Sequence, residues 1–358
     1  MLNERIVISG DLTRVDENMA PHQAGNIAWF SRIFTPVLEG LGCSVDTIGA
    51  GKEDFPLERL LQSIYDPTVG LLRDQWAASY DNGLPPRVSR ELIEALGAAT
   101  FLLFEAPPSM MAALDAAGHV YLNFRVHPIR FASDLVFAIK TNDKGIARRL
   151  KRFAMESDFV KREVELCRKR WENGKSDVPS KSTLFMAQTF EDASLIESGK
   201  FLRINDFAEK LRDIVRAEDP IFYKRHPLER NQASFDFWNE LFPRTVEISA
   251  DVSTYELFCK SDDLRIVTIS SGSAYEATLF GHSASYLSPR NWGGEYYLDY
   301  IPISHEYWYS AFWKDILTEP GIIRSAIQYA VPRRRKRDDL PFVEGRLRTL
   351  INVEWSKR

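Results

Sequence analysis

Cysteines and long apolar runs are scarce in this sequence of 358 residues. Its three cysteines, Cys43, Cys167 and Cys259, are odd in number and widely separated. They predict neither a disulfide framework nor a paired-cysteine metal knuckle, so a reducing compartment is expected. No apolar run approaches the ~18–20 residues that a membrane-spanning helix needs. The N-terminus enters a short β-branched run with no leader-like segment, which predicts a first strand and a cytoplasmic protein.

A surplus of one charge is also lacking, because 46 basic residues stand against 50 acidic ones and the formal net charge is −4. Without a global basic field, a dedicated nucleic-acid-binding protein is disfavoured. The hydrophobic fraction of 44% and the aromatic fraction of 12% are typical of a folded globular chain. At roughly 100–200 residues per domain, the length predicts two domains.

Several catalytic motifs are missing as well. The sequence has no glycine-rich phosphate loop, no dinucleotide fingerprint, no nucleophile elbow and no H-E-x-x-H zinc motif. Kinases, dehydrogenases, serine hydrolases and zinc proteases are therefore disfavoured. The six histidines are scattered, which predicts no metal site. No D-x-D pair occurs either, so the usual acidic site for a metal-bound sugar nucleotide is absent.

What the first half does contain is an alternation of strands and helices. Strand-like runs occupy residues 5–9, 44–48, 100–104 and 120–124, and helical spacing occupies 27–41 and 87–96. This order predicts a parallel α/β sheet. An apolar stripe within 142–173 predicts one long or broken helix. The polar stretch 174–181, which contains Gly and Pro, is the candidate interdomain linker.

The alternation restarts after that stretch. Strand-like runs are expected at 183–187, 221–224, 245–248, 264–269 and 283–287, and helices at 207–216, 235–241, 253–259 and 274–280. A second doubly wound α/β domain is the economical interpretation. Two such domains facing one another would form a central cleft where the carboxyl ends of both sheets converge.

Two segments of the second half suit an anion. The strand 221–224 ends in Lys224, Arg225 and His226, and the strand 264–269 runs into a serine-rich turn containing Ser270, Ser271 and Ser273. Backbone N–H groups, hydroxyls and a helix dipole converge at such a turn, so a phosphate is expected there. Each segment also has a purely structural interpretation that remains open. The basic segment would be a surface loop with a capping histidine, and the serine turn would be an ordinary helix N-cap.

A further acidic residue, Glu276, follows on the predicted helix. It either complements the helix dipole in the first turn or accepts hydrogen bonds from a ribose.

Other candidates follow strands elsewhere. Glu105 ends the strand 100–104, where partial burial would raise its pKa toward the range of a general acid or base; a solvated strand-end Glu is the alternative. The next strand is followed by basic groups suited to a carboxylate or an acidic sugar, namely Arg125, His127 and Arg130. The first strand of the second half is followed by Gln188, Asp192 and Ser194. Asp192 by itself is interpreted as a helix N-cap.

The strand ending in Lys224-Arg225-His226-Pro227, together with Ser270-Ser271 and Glu276, resembles the CMP-sugar-binding half of GT-B glycosyltransferases. Phe104-Glu105, Val126-His127-Pro128-Ile129-Arg130-Phe131, Gln188 and Asp192-Ala193-Ser194 resemble the retaining β-Kdo transferases of bacterial O-antigen and capsule synthesis. Kdo is an acidic eight-carbon ketosugar donated from its CMP ester. The likeness covers residues 105–281 and its motifs are short.

The resemblance implies a GT-B-like α/β fold. A Rossmann-like acceptor domain would span 1–175 and a Rossmann-like CMP-sugar donor domain 182–330, with 331–358 holding a basic segment and a C-terminal helix (340–355) that returns to the first domain.

The resemblance also assigns roles to the candidate residues. His226 and the turn of Ser270, Ser271 and Ser273 would bind the CMP phosphate, Lys224 would support its charge, and Glu276 would lie near the ribose. Asp192 would be the nucleophile and Glu105 the base that activates the acceptor, although the two roles are interchangeable. Arg125, His127, Arg130, Gln188 and Ser194 would contact Kdo or the acceptor. CMP-Kdo is then the donor substrate, and neither a cofactor nor a metal is expected.

The remaining expectations concern partners. The acceptor would be a glycan or a lipid-linked glycan. The basic run from Arg333 to Arg337 would touch an anionic membrane peripherally, or would simply be a solvated linker. Two other functions stay open: a different CMP-sugar transferase, such as an inverting sialyltransferase, and a non-catalytic glycan- or nucleotide-binding subunit of a polysaccharide assembly complex.

Overall fold

The structure, a computed structural model, describes residues 5–51, 57–174, 176–216, 218–229 and 232–318. The chain divides into two compact units. Within the described residues, unit 1 contains 5–127, Ser133–Met155 and 300–318, and unit 2 contains Pro128–Ala132 and Glu156–Asp299. The chain therefore enters unit 2 briefly between two strands of unit 1 and returns to unit 1 after residue 299.

The described strands, in chain order, are β1 (Arg5–Gly10), β2 (Ser44–Thr47), β3 (Thr100–Phe104), β4 (Tyr121–Val126), β5 (Phe137–Thr141), β6 (Thr183–Met186), β7 (Ile196–Glu197), β8 (Lys200–Phe201), β9 (Ile221–Lys224), β10 (Val246–Ile248), β11 (Arg265–Thr268), β12 (Ser283–Tyr286) and β13 (Ile301–Ile303). The described helices are α1 (Ala24–Glu39), α2 (Leu57–Ile64), α3 (Leu72–Asn82), α4 (Pro86–Leu96), α5 (Pro108–Ala116), α6 (Lys144–Leu150), α7 (Ser157–Arg170), α8 (Ala208–Ile214), α9 (Ala233–Leu241), α10 (Thr254–Lys260), α11 (Gly272–Leu279) and α12 (Ser310–Thr318).

Unit 1 is built on a six-stranded sheet in the order β13-β5-β4-β3-β1-β2. The four strands β2, β1, β3 and β4 are parallel, and β5 and β13 are added antiparallel at one edge. Apolar side chains of β1, β3, β4 and β5 pack under α1, α6 and α12. The aromatic centre of this core is tight: the ring of Phe30 lies 5.3 Å from that of Phe104 and 5.1 Å from that of Phe124.

Unit 2 has a five-stranded, all-parallel sheet in the order β10-β9-β6-β11-β12, and β7 pairs with β8 in a small hairpin. One face packs on α8 and α9, where the ring centroids of Phe185 and Trp238 lie 4.6 Å apart. The chain moves from β6 to β9 and β10 on one side and then to β11 and β12 on the other. This is the doubly wound arrangement, with its switch point beside β6.

The predicted α/β class is confirmed, and both units have the doubly wound, Rossmann-like sheet expected of a GT-B protein. The apolar stripe of 142–173 forms two helices, α6 and α7, and the units divide between them at Met155 and Glu156. The predicted linker 174–181 lies inside unit 2. The strands β5 and β13 were not anticipated.

Other sequence-based expectations concern the end of the chain and membranes. The basic run 333–337 and the predicted helix 340–355 lie outside the described residues. No helix in the described part of the chain combines the length and the apolar character needed to cross a bilayer.

Candidate functional site

The switch point of unit 2 brings several predicted residues together. Because its strands are parallel, the segments that follow β6, β9 and β11 emerge at one edge of the sheet. Gln188 lies just after β6, Lys224 ends β9, and Ser270 lies just after β11. Crevices at such an edge are where doubly wound sheets bind ligands.

Gln188 joins the two segments on either side of the switch point. Its Oε1 accepts hydrogen bonds from the Thr268 hydroxyl at 3.0 Å and from the Ser270 amide at 2.9 Å. Its Nε2 donates to the hydroxyls of Ser194 at 3.3 Å and Ser270 at 3.1 Å. These four bonds use the two donors and the two acceptor positions of the amide. Gln188 therefore positions the turn, and its polar atoms are already occupied.

The serine turn continues into α11. Ser270 donates its hydroxyl to the Ser194 carbonyl at 2.8 Å. Ser271 is the N-cap of α11 and accepts the Ser273 amide at 3.3 Å, and the two hydroxyls lie 2.8 Å apart. The N-capping interpretation is thus correct for Ser271. Both serines are half-buried and the first turn carries no acidic residue, so the positive end of the helix dipole suits an anion.

Lys224 is 3% exposed, and its ammonium donates to the carbonyls of Arg225 at 3.1 Å and Ala250 at 3.2 Å. Burial lowers its pKa to about 8, although the nearby carboxylate of Asp251 favours the charged form. An ammonium has three donors, and within the described residues no third acceptor contacts it. Lys224 is thus a buried cation at the carboxyl edge with one donor to offer.

The residues that follow Lys224 have other contacts. Arg225 pairs with Glu247, and the hydrogen bond to this carboxylate raises the pKa of the guanidinium. Arg225 also donates to Gln232. The Nδ1 of His226 accepts the Leu228 amide at 3.1 Å, so this histidine also closes its own loop.

Asp192 is exposed and caps the short 3-10 turn Ala193–Leu195, because its Oδ1 accepts the Ser194 amide at 2.8 Å. The expectation that Asp192 is an N-cap is therefore correct. The bond fixes the carboxylate beside Ser194, which itself contacts Gln188 and Ser270. No described residue donates to its second oxygen.

Glu276 has a different setting from the one predicted. The helix begins at Gly272 rather than at residue 274, so Glu276 lies beyond the first turn, where a complement to the dipole is weaker. It is 4% exposed, and its Oε1 accepts the Arg130 amide at 2.7 Å and the Tyr255 hydroxyl at 2.9 Å. The ribose contact stays a prediction, since the described partners of Glu276 are protein groups.

The segment Pro128–Ala132 docks against the start of α11. A Cβ at Gly272 would lie 2.7 Å from the Cβ of Pro128, so only glycine permits this approach. The ring of Phe131 lies 6.0 Å from that of Tyr255 and 5.0 Å from that of Phe280. The amide of Arg130 is held by Glu276, while its side chain is exposed.

In unit 1, Glu105 follows the buried strand β3 with φ of +52°, in the left-handed region. A residue with a Cβ pays about 1–2 kcal/mol for that conformation. The strain is held in place by neighbours, because the Glu105 amide donates to the Phe124 carbonyl at 2.8 Å. Strained residues of this kind often occur at functional sites.

Arg125 lies on β4 and is 7% exposed. Its guanidinium donates to the hydroxyls of Tyr80 at 2.7 Å and Tyr300 at 3.2 Å, and Asn123 donates to the same Tyr300 hydroxyl at 3.0 Å. Burial lowers the pKa of His127 to about 3. His127 is therefore neutral near pH 7, and its expected contact with Kdo or the acceptor stays a prediction.

Sequence reasoning missed several buried polar residues of unit 1. Tyr80 and Tyr300 have no local signal, because they reach Arg125 across 45 and 175 residues. Asp11 follows β1, is 4% exposed, and accepts hydrogen bonds from Thr13 and from Trp76. Burial raises the pKa of Asp11. Its place directly after the first strand was the signal that could have identified it.

The predicted residues are divided between the units. Glu105, Arg125 and His127 belong to unit 1, whereas Arg130 and the residues from Gln188 to Glu276 belong to unit 2. Across the described ranges, no cluster of three or more His, Cys, Asp or Glu side chains is arranged to hold a metal ion.

Comparisons with known proteins found distant likenesses of fold. KpsC of Thermosulfurimonas dismutans, described as a beta Kdo 2,7 transferase, shares 16% identity over 56% of this chain and 68% of its own, with a TM-score of 0.36. The same organism's KpsC described as a beta Kdo 2,4 transferase shares 14% identity over 51% of this chain and 67% of its own, with a TM-score of 0.32. No protein-family model and no curated protein matches the sequence.

Proposed function

We propose that this protein is a glycosyltransferase that transfers Kdo from CMP-β-Kdo to a glycan, with retention, in bacterial surface polysaccharide synthesis. The observation that carries the proposal is the anion-suited edge of unit 2. There the half-buried hydroxyls of Ser271 and Ser273 lie at the dipole end of α11, and the buried ammonium of Lys224 ends the strand β9. Preorganised donors of this kind stabilise the charge that a departing phosphate gains.

The phosphate of CMP is a good leaving group, so hydroxyls, backbone amides and one ammonium suffice to assist its departure. Lys224 is well suited because two carbonyls hold its nitrogen in place while one N–H remains. The hydroxyls of Ser271 and Ser273 bond to each other, and rotation about the Cβ–Oγ bond lets one of them turn its hydrogen to a phosphate oxygen. The carboxylate of Kdo adds a second anion, for which Arg125 in unit 1 or the exposed side chain of Arg130 is the proposed partner.

Retention follows from two displacements. In the first, a carboxylate oxygen of Asp192 attacks the anomeric carbon, and the bond to the phosphate breaks so that CMP leaves with the electron pair. In the second, Glu105 takes the proton of an acceptor hydroxyl, whose oxygen displaces Asp192 from the sugar. The capping bond to the Ser194 amide orients the Asp192 carboxylate and leaves one oxygen for attack. The two carboxylates can exchange these roles.

The first test is calorimetric titration of the full chain with CMP. His226→Ala is expected to weaken CMP binding by about 10-fold, because a hydrogen bond to a charged group is lost. His119→Ala is the matched control, since His119 lies in unit 1, two residues before the first residue of β4 and so at the amino end of that strand. Unchanged affinity in His226→Ala would remove this histidine from the donor site.

The second test measures transfer from CMP-Kdo. Asp192→Asn and Glu105→Gln are each expected to abolish transfer while CMP binding stays intact. Loss of CMP binding in both variants would mean that the two residues are structural. NMR of the product's anomeric configuration tests retention, and an inverted product would favour a sialyltransferase-like enzyme. Binding of CMP without turnover of any CMP-sugar would overturn the proposal in favour of a non-catalytic binding subunit.

A further inference from the structure

Two of the three cysteines meet inside unit 2. Cys167 lies on α7 and Cys259 on α10, and their Sγ atoms are 4.0 Å apart although 92 positions separate the two residues in the chain. Cys43 lies in unit 1. The sequence spacing predicted no pairing, so only the packing of α10 on α7 brings these thiols together.

Residues next to both cysteines make polar contacts, and one of these contacts joins α10 to the end of α7. The Arg168 guanidinium, next to Cys167, donates to the Phe280 carbonyl at 2.9 Å. The Lys260 ammonium, next to Cys259, pairs with Glu256 at 2.7 Å and lies 5.8 Å from the centre of the Trp171 ring. The thiols are neighbours in the folded unit, and a disulfide at about 2.05 Å requires the two sulfur atoms to approach each other by roughly 2 Å more.

We infer that Cys167 and Cys259 form a reversible disulfide when the protein meets a two-electron oxidant such as hydrogen peroxide. Cys259 is partly exposed and Cys167 is buried, so Cys259 reacts first. Its thiolate attacks a peroxide oxygen, the O–O bond breaks, and the sulfenic acid of Cys259 forms with release of water. The thiolate of Cys167 then attacks that sulfur, the S–O bond breaks, and a second water leaves. Two thiols lose two protons and two electrons, and one peroxide becomes two waters.

The reaction is expected to be slow at neutral pH. The contact with Cys167 and burial both raise the pKa of the Cys259 thiol, so little of the reactive thiolate is present. The pair is thus a slow cross-link formed under sustained oxidation rather than a rapid sensor.

The cross-link would tie α10 to α7 and close a long loop of the unfolded chain. On α10, one turn before Cys259, Tyr255 donates its hydroxyl to Glu276 of α11. The bridge would therefore fix the helix that supports the start of α11. This inference does not depend on the proposed function.

The test is a thiol count on the full-length protein, unfolded in denaturant, before and after treatment with hydrogen peroxide at about pH 8.5, near the pKa of an ordinary thiol. The count is expected to fall from three to one and to return to three with dithiothreitol. Peptide mass spectrometry should identify the Cys167–Cys259 link, with a mass lower by two hydrogens. The melting temperature of the oxidised protein is expected to be about 5–15 °C higher than that of the reduced protein.

Matched variants separate this pair from other chemistry. In Cys43→Ser, the thiol count is expected to fall from two to none on oxidation. Cys167→Ser and Cys259→Ser should show neither the intramolecular link nor the rise in melting temperature. Should either of these variants fail to fold, the mass spectrum of the wild-type protein still decides the question. Three thiols remaining after prolonged oxidation, overoxidation of Cys259 without a link, or a link through Cys43 would each overturn the inference.

Discussion

Replacing Glu105 tests two points: whether the backbone just after β3 is strained, and whether transfer needs the carboxylate. Glu105 adopts φ of +52°, a conformation that glycine reaches without a Cβ clash. We therefore expect Glu105→Gly to be more stable than Glu105→Ala. Both variants lose the carboxylate and its contacts, so the comparison isolates the backbone.

The magnitude follows from two opposing effects. A residue with a Cβ pays about 1–2 kcal/mol in the left-handed region, and glycine removes that cost. Glycine also loses about 0.5–1 kcal/mol more backbone entropy on folding than alanine does. The glycine variant should therefore exceed the alanine variant by about 0.5–1 kcal/mol in the free energy of unfolding. At about 2–4 °C per kcal/mol, this corresponds to a melting temperature about 1–4 °C higher.

The assay is thermal and urea unfolding of both variants, followed by transfer from CMP-Kdo. Neither variant should transfer, and Glu105→Gln should be as stable as the wild type but equally inactive. An alanine variant at least as stable as the glycine variant would refute the strain argument. Wild-type transfer by any of the three would refute the assignment of Glu105 as the base.

Three further predictions concern unit 2. Gly272→Ala should lower the free energy of unfolding in urea by about 1–3 kcal/mol, because its Cβ would lie 2.7 Å from that of Pro128; Gly25→Ala on α1, with open space around it, is the neutral or slightly stabilising control. Gln188→Ala should cost about 2–3 kcal/mol and weaken CMP binding, since it leaves the Ser270 amide without its acceptor; unchanged unfolding would refute the positioning role. From pH 7 upward, where the phosphate of CMP is a dianion, CMP affinity should fall as pH rises through about 8, because Lys224 loses its proton there. Calorimetry of Lys224→Met should show weak binding without this fall, and a wild-type profile in that variant would contradict the role of this lysine.

Local sequence patterns predicted most of the elements that carry the site. The apolar spacing of 27–41 matches α1, and the runs at 221–224 and 264–269 match β9 and β11. These signals are local because side-chain periodicity reflects the geometry of a single helix or strand. A residue placed directly after a strand of a parallel sheet is thereby assigned to its carboxyl edge. This is how Lys224 and Ser270 were placed correctly beside the switch point.

Other features had no local signal. The edge strand β13 pairs with β5 across more than 150 residues, and its three residues are too few for a periodic pattern. The segment Pro128–Ala132 was predicted as part of the first domain, yet it packs in unit 2 through Phe131 and the Arg130 amide. Long-range contacts of this kind depend on the assembled packing and not on neighbouring residues.

The sequence by itself determined the α/β class, the order of most strands and helices, and the serine-rich and basic turns that follow β11 and β9. Only the tertiary structure decided which polar atoms of those turns can bind a ligand and which already bond to other protein groups. Packing placed hydrogen-bond partners around the side-chain amide of Gln188. It bonded the Glu276 carboxylate to the Arg130 amide and the Tyr255 hydroxyl. It also buried Lys224 and His127, which lowered the pKa of both side chains. The physical reason is that periodicity is set by the local backbone, whereas desolvation and hydrogen bonding are set by groups that meet only when distant segments pack together.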